Sequence, residues 1–151
     1  MNIKELMGSG DKVMLFTLPF LVVGLALNIL RPEWFRVGGP APALAAVSAV
    51  LLFAGVVVWI WSVVLILLRV PRKKLITEGP YALVKHPLYA GVSLLVLPWL
   101  GFLLNSWVGA LIGGALYVGN RLFAVEEERK LAAAFGPEWE KYKSKVLLPW
   151  L

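Results

Sequence analysis

Residues 43–68 read ALAAVSAVLLFAGVVVWIWSVVLILL, an apolar run without one charged side chain. At about 1.5 Å of rise per residue, such a run exceeds what a helix needs to cross a hydrocarbon core of ~30 Å. It ends at Arg69 and Pro71, and its surplus length should tilt or protrude. Three further apolar stretches flank it: Val13 to Leu30, ending at Arg31-Pro32, then Leu88 to Leu104, then Trp107 to Val125. The third is marginal in length, and Pro98 inside it predicts a kink. Asn105-Ser106 alone separate it from the fourth, so these two should form a tight helical hairpin, or a partly re-entrant one.

Composition agrees with this reading. Of 151 residues, 60% are hydrophobic and 16% charged, whereas a soluble domain is roughly 45–50% apolar and about 25% charged. A soluble fold of this length cannot hide so much apolar surface, so the excess faces lipid or another chain. The chain has no cysteine, which excludes disulfides, thiolate metal sites and a cysteine nucleophile; no metal is expected. Lys4, Glu5, Asp11 and Lys12 precede the first apolar run in the manner of a signal peptide. No small-x-small cleavage site closes that run, so it reads as a retained first span.

The basic residues set the expected topology. With four spans, the N-terminus, the second loop and the C-terminus share one side and carry thirteen of the fifteen Lys and Arg residues; Arg31 and Arg36 lie on the other. The positive-inside rule makes the first side cytoplasmic, in a plasma or inner membrane. The net charge of +6 then meets anionic headgroups rather than nucleic acid. Trp34, Trp99, Trp107 and Trp150 fall near span ends, as in an aromatic belt, while Trp59 and Trp61 fall inside span two and pack or face lipid. Gly38-Gly39-Pro40 marks an outer turn, and Gly109, Gly113 and Gly114 give span four a small-residue face. The expected fold is therefore all-α: a polytopic membrane protein of four transmembrane segments, a C-terminal helical hairpin, and an interfacial helix from about Pro137 to Lys145. That helix should turn Trp139, Tyr142 and Val146 toward the membrane and Glu138, Lys141 and Lys145 outward.

Polar residues gather in two places on the expected cytoplasmic side. The first is Glu78-Gly79-Pro80-Tyr81-Ala82-Leu83-Val84-Lys85-His86-Pro87-Leu88-Tyr89-Ala90-Gly91. Gly79-Pro80 forces a turn, and Pro87 holds His86 extended, displaying the single histidine at the mouth of span three beside Lys85 and Tyr89. Gly91 leaves room for another backbone or a ligand. The plainer alternative is an interfacial loop whose Lys, His and Tyr anchor to headgroups. The second place is Glu126-Glu127-Glu128-Arg129-Lys130-Leu131, followed by Phe135-Gly136-Pro137-Glu138-Trp139 and Tyr142. Glu127 and Glu128 lie 100° apart on a helix, and Glu127 shares a face with Leu131. A charge run is usually a solvated face, yet carboxylates at a membrane boundary are costly unless paired or liganded. A hairpin brings the two places together, so one pocket can use both.

Three motifs in order, Gly79-Pro80-Tyr81-x3-Lys85-His86-Pro87-x-Tyr89-x-Gly91, Glu127-Glu128-x2-Leu131 and Phe135-Gly136-x2-Trp139-x2-Tyr142, resemble the isoprenylcysteine carboxyl methyltransferase family and the related phospholipid methyltransferases. The likeness covers about residues 75–149. Lys85 stands where the family usually has arginine, Trp139 where tyrosine is common, and Val146-Leu147-Leu148-Pro149 lacks the late arginine often found before the last proline. The resemblance implies transfer of a methyl group from S-adenosylmethionine at the membrane surface. It also implies a cofactor site formed by Tyr81, Lys85, His86, Pro87, Tyr89, Gly91, Glu127 and Glu128, in a pocket closed by the C-terminal segment, with His86 and Glu127 as the catalytic candidates. The acceptor would be the carboxylate or amine of a prenylated or lipid-like molecule drawn from the bilayer. On this reading residues 1–151 form a single membrane domain, with 1–74 a two-span part and 75–151 the cofactor-binding part.

Two rivals are set against it. Membrane reductases of the sterol type, which use NADPH, look similar around a His-Pro-x-Tyr stretch and a late tryptophan. They carry Asn after the His-Pro and a Cys-containing acidic segment, where this chain has Leu88 and Glu127-Glu128. A non-enzymatic membrane scaffold is the other. A channel is disfavoured, since the spans hold almost no ionisable residue. Oligomeric state is not readable from the sequence.

Overall fold

The computed structural model describes residues 10–39 and 41–151; Lys4, Glu5 and Pro40 lie outside them. Among the described residues six helices follow one another: α1 Gly10–Leu30, α2 Pro42–Arg69, α3 Pro80–Leu83, α4 Pro87–Leu103, α5 Val108–Phe135 and α6 Pro137–Lys143. Proline opens α2, α3, α4 and α6, where its fixed φ suits the first turn and its missing N–H costs nothing. Gly136, at φ +50, ends α5 and starts α6. No strand occurs among the described residues, where isolated bridges are the extent of β pairing.

Among the described residues, three helices are long and apolar enough to cross a membrane: α1, α2 with its short 3₁₀ extension to Arg72, and α5. α4 is shorter, and its seventeen residues rise about 25 Å. Pro98 disturbs α4 as expected, but the irregularity sits upstream, as a π-helical stretch Gly91–Val96 that ends just before it. Proline cannot donate to a carbonyl one turn back, and a wider π register is one way to absorb that loss.

Small residues decide which helices meet. A Cβ at Gly109 would lie 2.0 Å from the Leu97 carbonyl oxygen, and one at Gly113 2.3 Å from that of Ser93. The backbones of α4 and α5 therefore touch. Gly114 has nothing within 4 Å, so it does not share the packing face expected of it. It is rotated 100° from Gly113, which leaves it on the open side of α5. Gly55 brings α2 onto Leu95, while Gly91 meets Val58. α1 lies along α5, with Gly24 against Val108 and Phe16 against Gly119. The order across the bundle is thus α1, α5, α4, α2, and α1 and α2 do not pack against one another among the described residues.

The surplus length of α2 becomes a wall. Gly79, at φ +60, lies over the Trp61 indole, where a Cβ would come within 2.9 Å. The chain after α2 therefore folds back two turns before Arg69, whose guanidinium then grips Glu78. α6 differs from expectation. Trp139, Tyr142 and Val146 are buried together against Leu75, Leu131, Ala132 and Phe135, so the apolar face of this helix turns to the protein itself, not to the membrane.

Candidate active site

The stretch from Gly79 to Tyr89 and the late turns of α5 meet as the sequence suggested. Glu128 reaches across to the loop, and one carboxylate oxygen lies 2.5 Å from Lys85 Nζ and 3.4 Å from His86 Nε2. His86 precedes Pro87 with φ −124 and ψ 61, outside the helical region. Its ring is enclosed rather than displayed: the side chain is 5% exposed, against 24% for Glu128. The three groups share a partly dry space, and removing Lys85 would leave a costly carboxylate charge behind.

Beside this ion pair lies a cavity of about 360 Å³, within the range of small-molecule sites. Tyr81, Lys85, His86 and Tyr89 line it from the loop and the start of α4, and Glu127 lines it from α5. Leu131 and Phe135 follow Glu127 at intervals of four and continue the same wall. Glu127 and Glu128 are thus divided by their 100° offset, one toward the cavity and one toward Lys85 and His86. Pro87 is fully buried behind the loop, and Gly91 packs on α2, outside the cavity lining.

Several lining residues lie outside the expected site set. Asp11 enters from the start of α1, Ile66 from the end of α2, Val70 from its 3₁₀ extension, Lys74 from the following turn, and, from the α6 segment expected to close the pocket, Trp139 and Tyr142. The Phe135-Gly136-x2-Trp139-x2-Tyr142 spacing was the available signal for the last two, since Gly136 reverses the chain and lays α6 back on α5.

The tyrosines of the wall are held neutral. Burial, then the Glu127 carboxylate, and then Tyr142 and Tyr89 push the Tyr81 phenol well above the usual tyrosine range. Burial followed by Glu128 does the same for Tyr142. Tyr142 therefore remains a donor, and its hydroxyl holds the Tyr81 carbonyl at 2.8 Å. α6 is thereby tied to the loop it covers.

These features define an α-helical membrane bundle with a cavity at one end, walled by aromatic and aliphatic side chains and a few charged ones. A family model described as the isoprenylcysteine carboxyl methyltransferase family matches residues 43–133, and the chain belongs to this family. The matched region runs from the start of α2 to the last turn of α5, taking in Tyr81 to Gly91 and Glu127-Glu128, and stops before α6. No curated protein and no solved structure matches the chain. The protein is an integral membrane member of a methyltransferase family.

Proposed function

We propose that this protein transfers a methyl group from S-adenosylmethionine to a lipophilic acceptor at the cytoplasmic membrane face. The observation that carries the proposal is the cavity, with Glu127, Lys85, His86 and Tyr89 in its walls, at the end of a lipid-facing bundle. When bound, S-adenosylmethionine supplies a methyl group already activated by a positively charged sulfur, so positioning does most of the catalytic work.

The walls fit that group. Carboxylates at Glu127 and Asp11, with the faces of Tyr81, Tyr89 and Trp139, suit a cation. Lys74 and Lys85 offer ammonium groups to an amino-acid carboxylate, although Lys85 shares its charge with Glu128. Pro87 and Gly91 act behind the wall, by fixing the loop and bringing α4 onto α2. For a carboxylate acceptor no general base is needed. For an amine, His86 or Glu127 takes the proton.

The same proposal includes four spans, with α4 as the third and with α4 and α5 as the hairpin, and both termini on the cytoplasmic side. Residues 75–151 supply most of the cavity. A carboxylate or amine of a prenylated or lipid-like molecule reaches it sideways, and the gap in packing between α1 and α2 among the described residues supports that route.

The test is radiolabel transfer in membranes containing the protein, with methyl-labelled S-adenosylmethionine as donor. Label is expected in the organic extract and lost with Glu127→Ala. Label released as methanol by mild base identifies a methyl ester, whereas base-stable label identifies an amine. Extracts no richer in label than those from Glu127→Ala membranes would overturn the proposal.

A further inference from the structure

The segment after α6 is tied to the loop that carries Lys85 and His86. Leu147 N–H donates to the Ala82 carbonyl at 3.3 Å, Leu148 N–H to that of Leu83 at 2.8 Å, and Lys85 N–H to that of Leu151 at 3.3 Å. Val84 and Leu148 pair in parallel. Further along, the Tyr117 hydroxyl donates to the Trp150 carbonyl at 3.4 Å. Tyr117 lies within the apolar part of α5, so this tail hangs between a polar loop and the flank of a membrane-crossing helix.

Its outer side chains are apolar. Leu83, Leu147 and Trp150 are 52%, 67% and 59% exposed, and main-chain bonds join Leu147 and Leu148 to the Ala82-Leu83 stretch. Exposed cations flank them: Lys145 where the tail begins, and Arg121 one turn beyond Tyr117. Tryptophan and leucine framed by basic residues, continuous with a lipid-facing helix, suit the boundary between acyl chains and anionic headgroups.

We propose that residues 147–151 form a strap seated in the bilayer interface. Its exposed side chains partition into the leaflet beside α5, and its main chain holds Lys85 and His86 against Glu128. The strap is thus a positioning element, and membrane seating and order of the loop are one event. Only its effect on cofactor affinity rests on the methyltransferase reading; its seat and its hold on the loop do not.

Four readouts test this with the full chain in bilayers containing anionic lipid. The chain has no cysteine, so a spin label on Trp150→Cys reports depth at one position. It is expected to relax with lipid-soluble oxygen rather than with aqueous nickel; the reverse overturns the seating. Leu148→Pro removes the donor to Leu83. It is expected to speed amide exchange at residues 82–86 at least tenfold, while residues 111–116 of α5 stay protected. His86 is the single histidine, so its one imidazole resonance should move in the same variant, and S-adenosylhomocysteine affinity should fall at least fivefold. Trp150→Asp, which leaves the main-chain donors in place, should loosen the loop in the same way. Unchanged exchange at 82–86 and an unmoved His86 signal in both variants would overturn the strap. Absence of S-adenosylhomocysteine binding by the unaltered protein would sink the methyl-donor reading instead, leaving exchange and depth to judge the strap.

Discussion

The two ends of the bundle are built on opposite rules. Where α4 turns into α5, backbones touch: Gly101, Gly109 and Gly113 leave no room for a Cβ, and Asn105, at φ +58, makes the reversal. The Asn105 side chain accepts from Gly39 N–H at 2.8 Å, which closes the turn against the preceding loop. At the other end, large aromatic and charged side chains hold the same helices around about 360 Å³ of space. The first end gains dispersion contacts from close approach. The second forgoes them, and its polar groups are satisfied by one another, as with Glu128, Lys85 and His86. A cavity survives in a small bundle because the opposite end is closed without slack.

That contrast can be broken by substitution, most severely at the closed end. Gly109→Val drives a branched side chain into the Leu97 carbonyl, and the expected loss is about 3 kcal/mol of stability. An unchanged unfolding midpoint in detergent would mean that α4 and α5 can separate freely. At the open end, Lys85→Ala leaves the partly buried Glu128 without the Lys85 ammonium, at a cost of about 2 kcal/mol. Calorimetry should show weaker S-adenosylhomocysteine binding as well as lower stability, and loss of stability alone would remove Lys85 from the site.

A smaller effect is expected at the tie between α6 and the loop. Tyr142→Phe deletes one hydrogen bond, worth about 1 kcal/mol. Because folding raises this phenol above its ordinary range, the bond's contribution is fully present below pH ~10 and is lost as pH climbs through the raised value. The stability difference between Tyr142→Phe and the unaltered protein should therefore be flat from neutral pH to about pH 9 and shrink above pH ~10, where the phenol ionises in the unfolded chain only; a difference that stays flat above pH ~10 would show the phenol to be unshifted. Least of all, Gly114→Ala meets no atom within 4 Å and should raise the midpoint slightly, by about 0.5 kcal/mol. Destabilisation there would place a neighbour against this face of α5.

The sequence made the spans legible because an uncharged apolar run is its own signal; residues 43–68 leave little else to be said. His86 and Glu127-Glu128 were legible as partners because a proline, a turn and a short connection between apolar stretches all sent them to one side. The remaining walls were not. Ile66 sits on a helix that is apolar nearly all round, so periodicity cannot separate a cavity wall from a lipid contact. The direction of α6 failed for a related reason. Trp139, Tyr142 and Val146 make the same apolar stripe whether it meets lipid or Leu131 and Phe135, and only the reversal at Gly136 decides between them. Gly114 shows the converse limit, a small residue counted into a packing face from which a single 100° step removes it.

The central claim is that the cavity beneath α6 holds a methyl donor. Isothermal titration of the purified protein with S-adenosylhomocysteine, run beside Glu127→Ala and beside NADPH, tests it most directly. The account predicts one saturable site per chain, lost in Glu127→Ala with helicity retained, and no heat from NADPH. Binding of NADPH in its place, or S-adenosylhomocysteine binding that Glu127→Ala leaves intact, would contradict it.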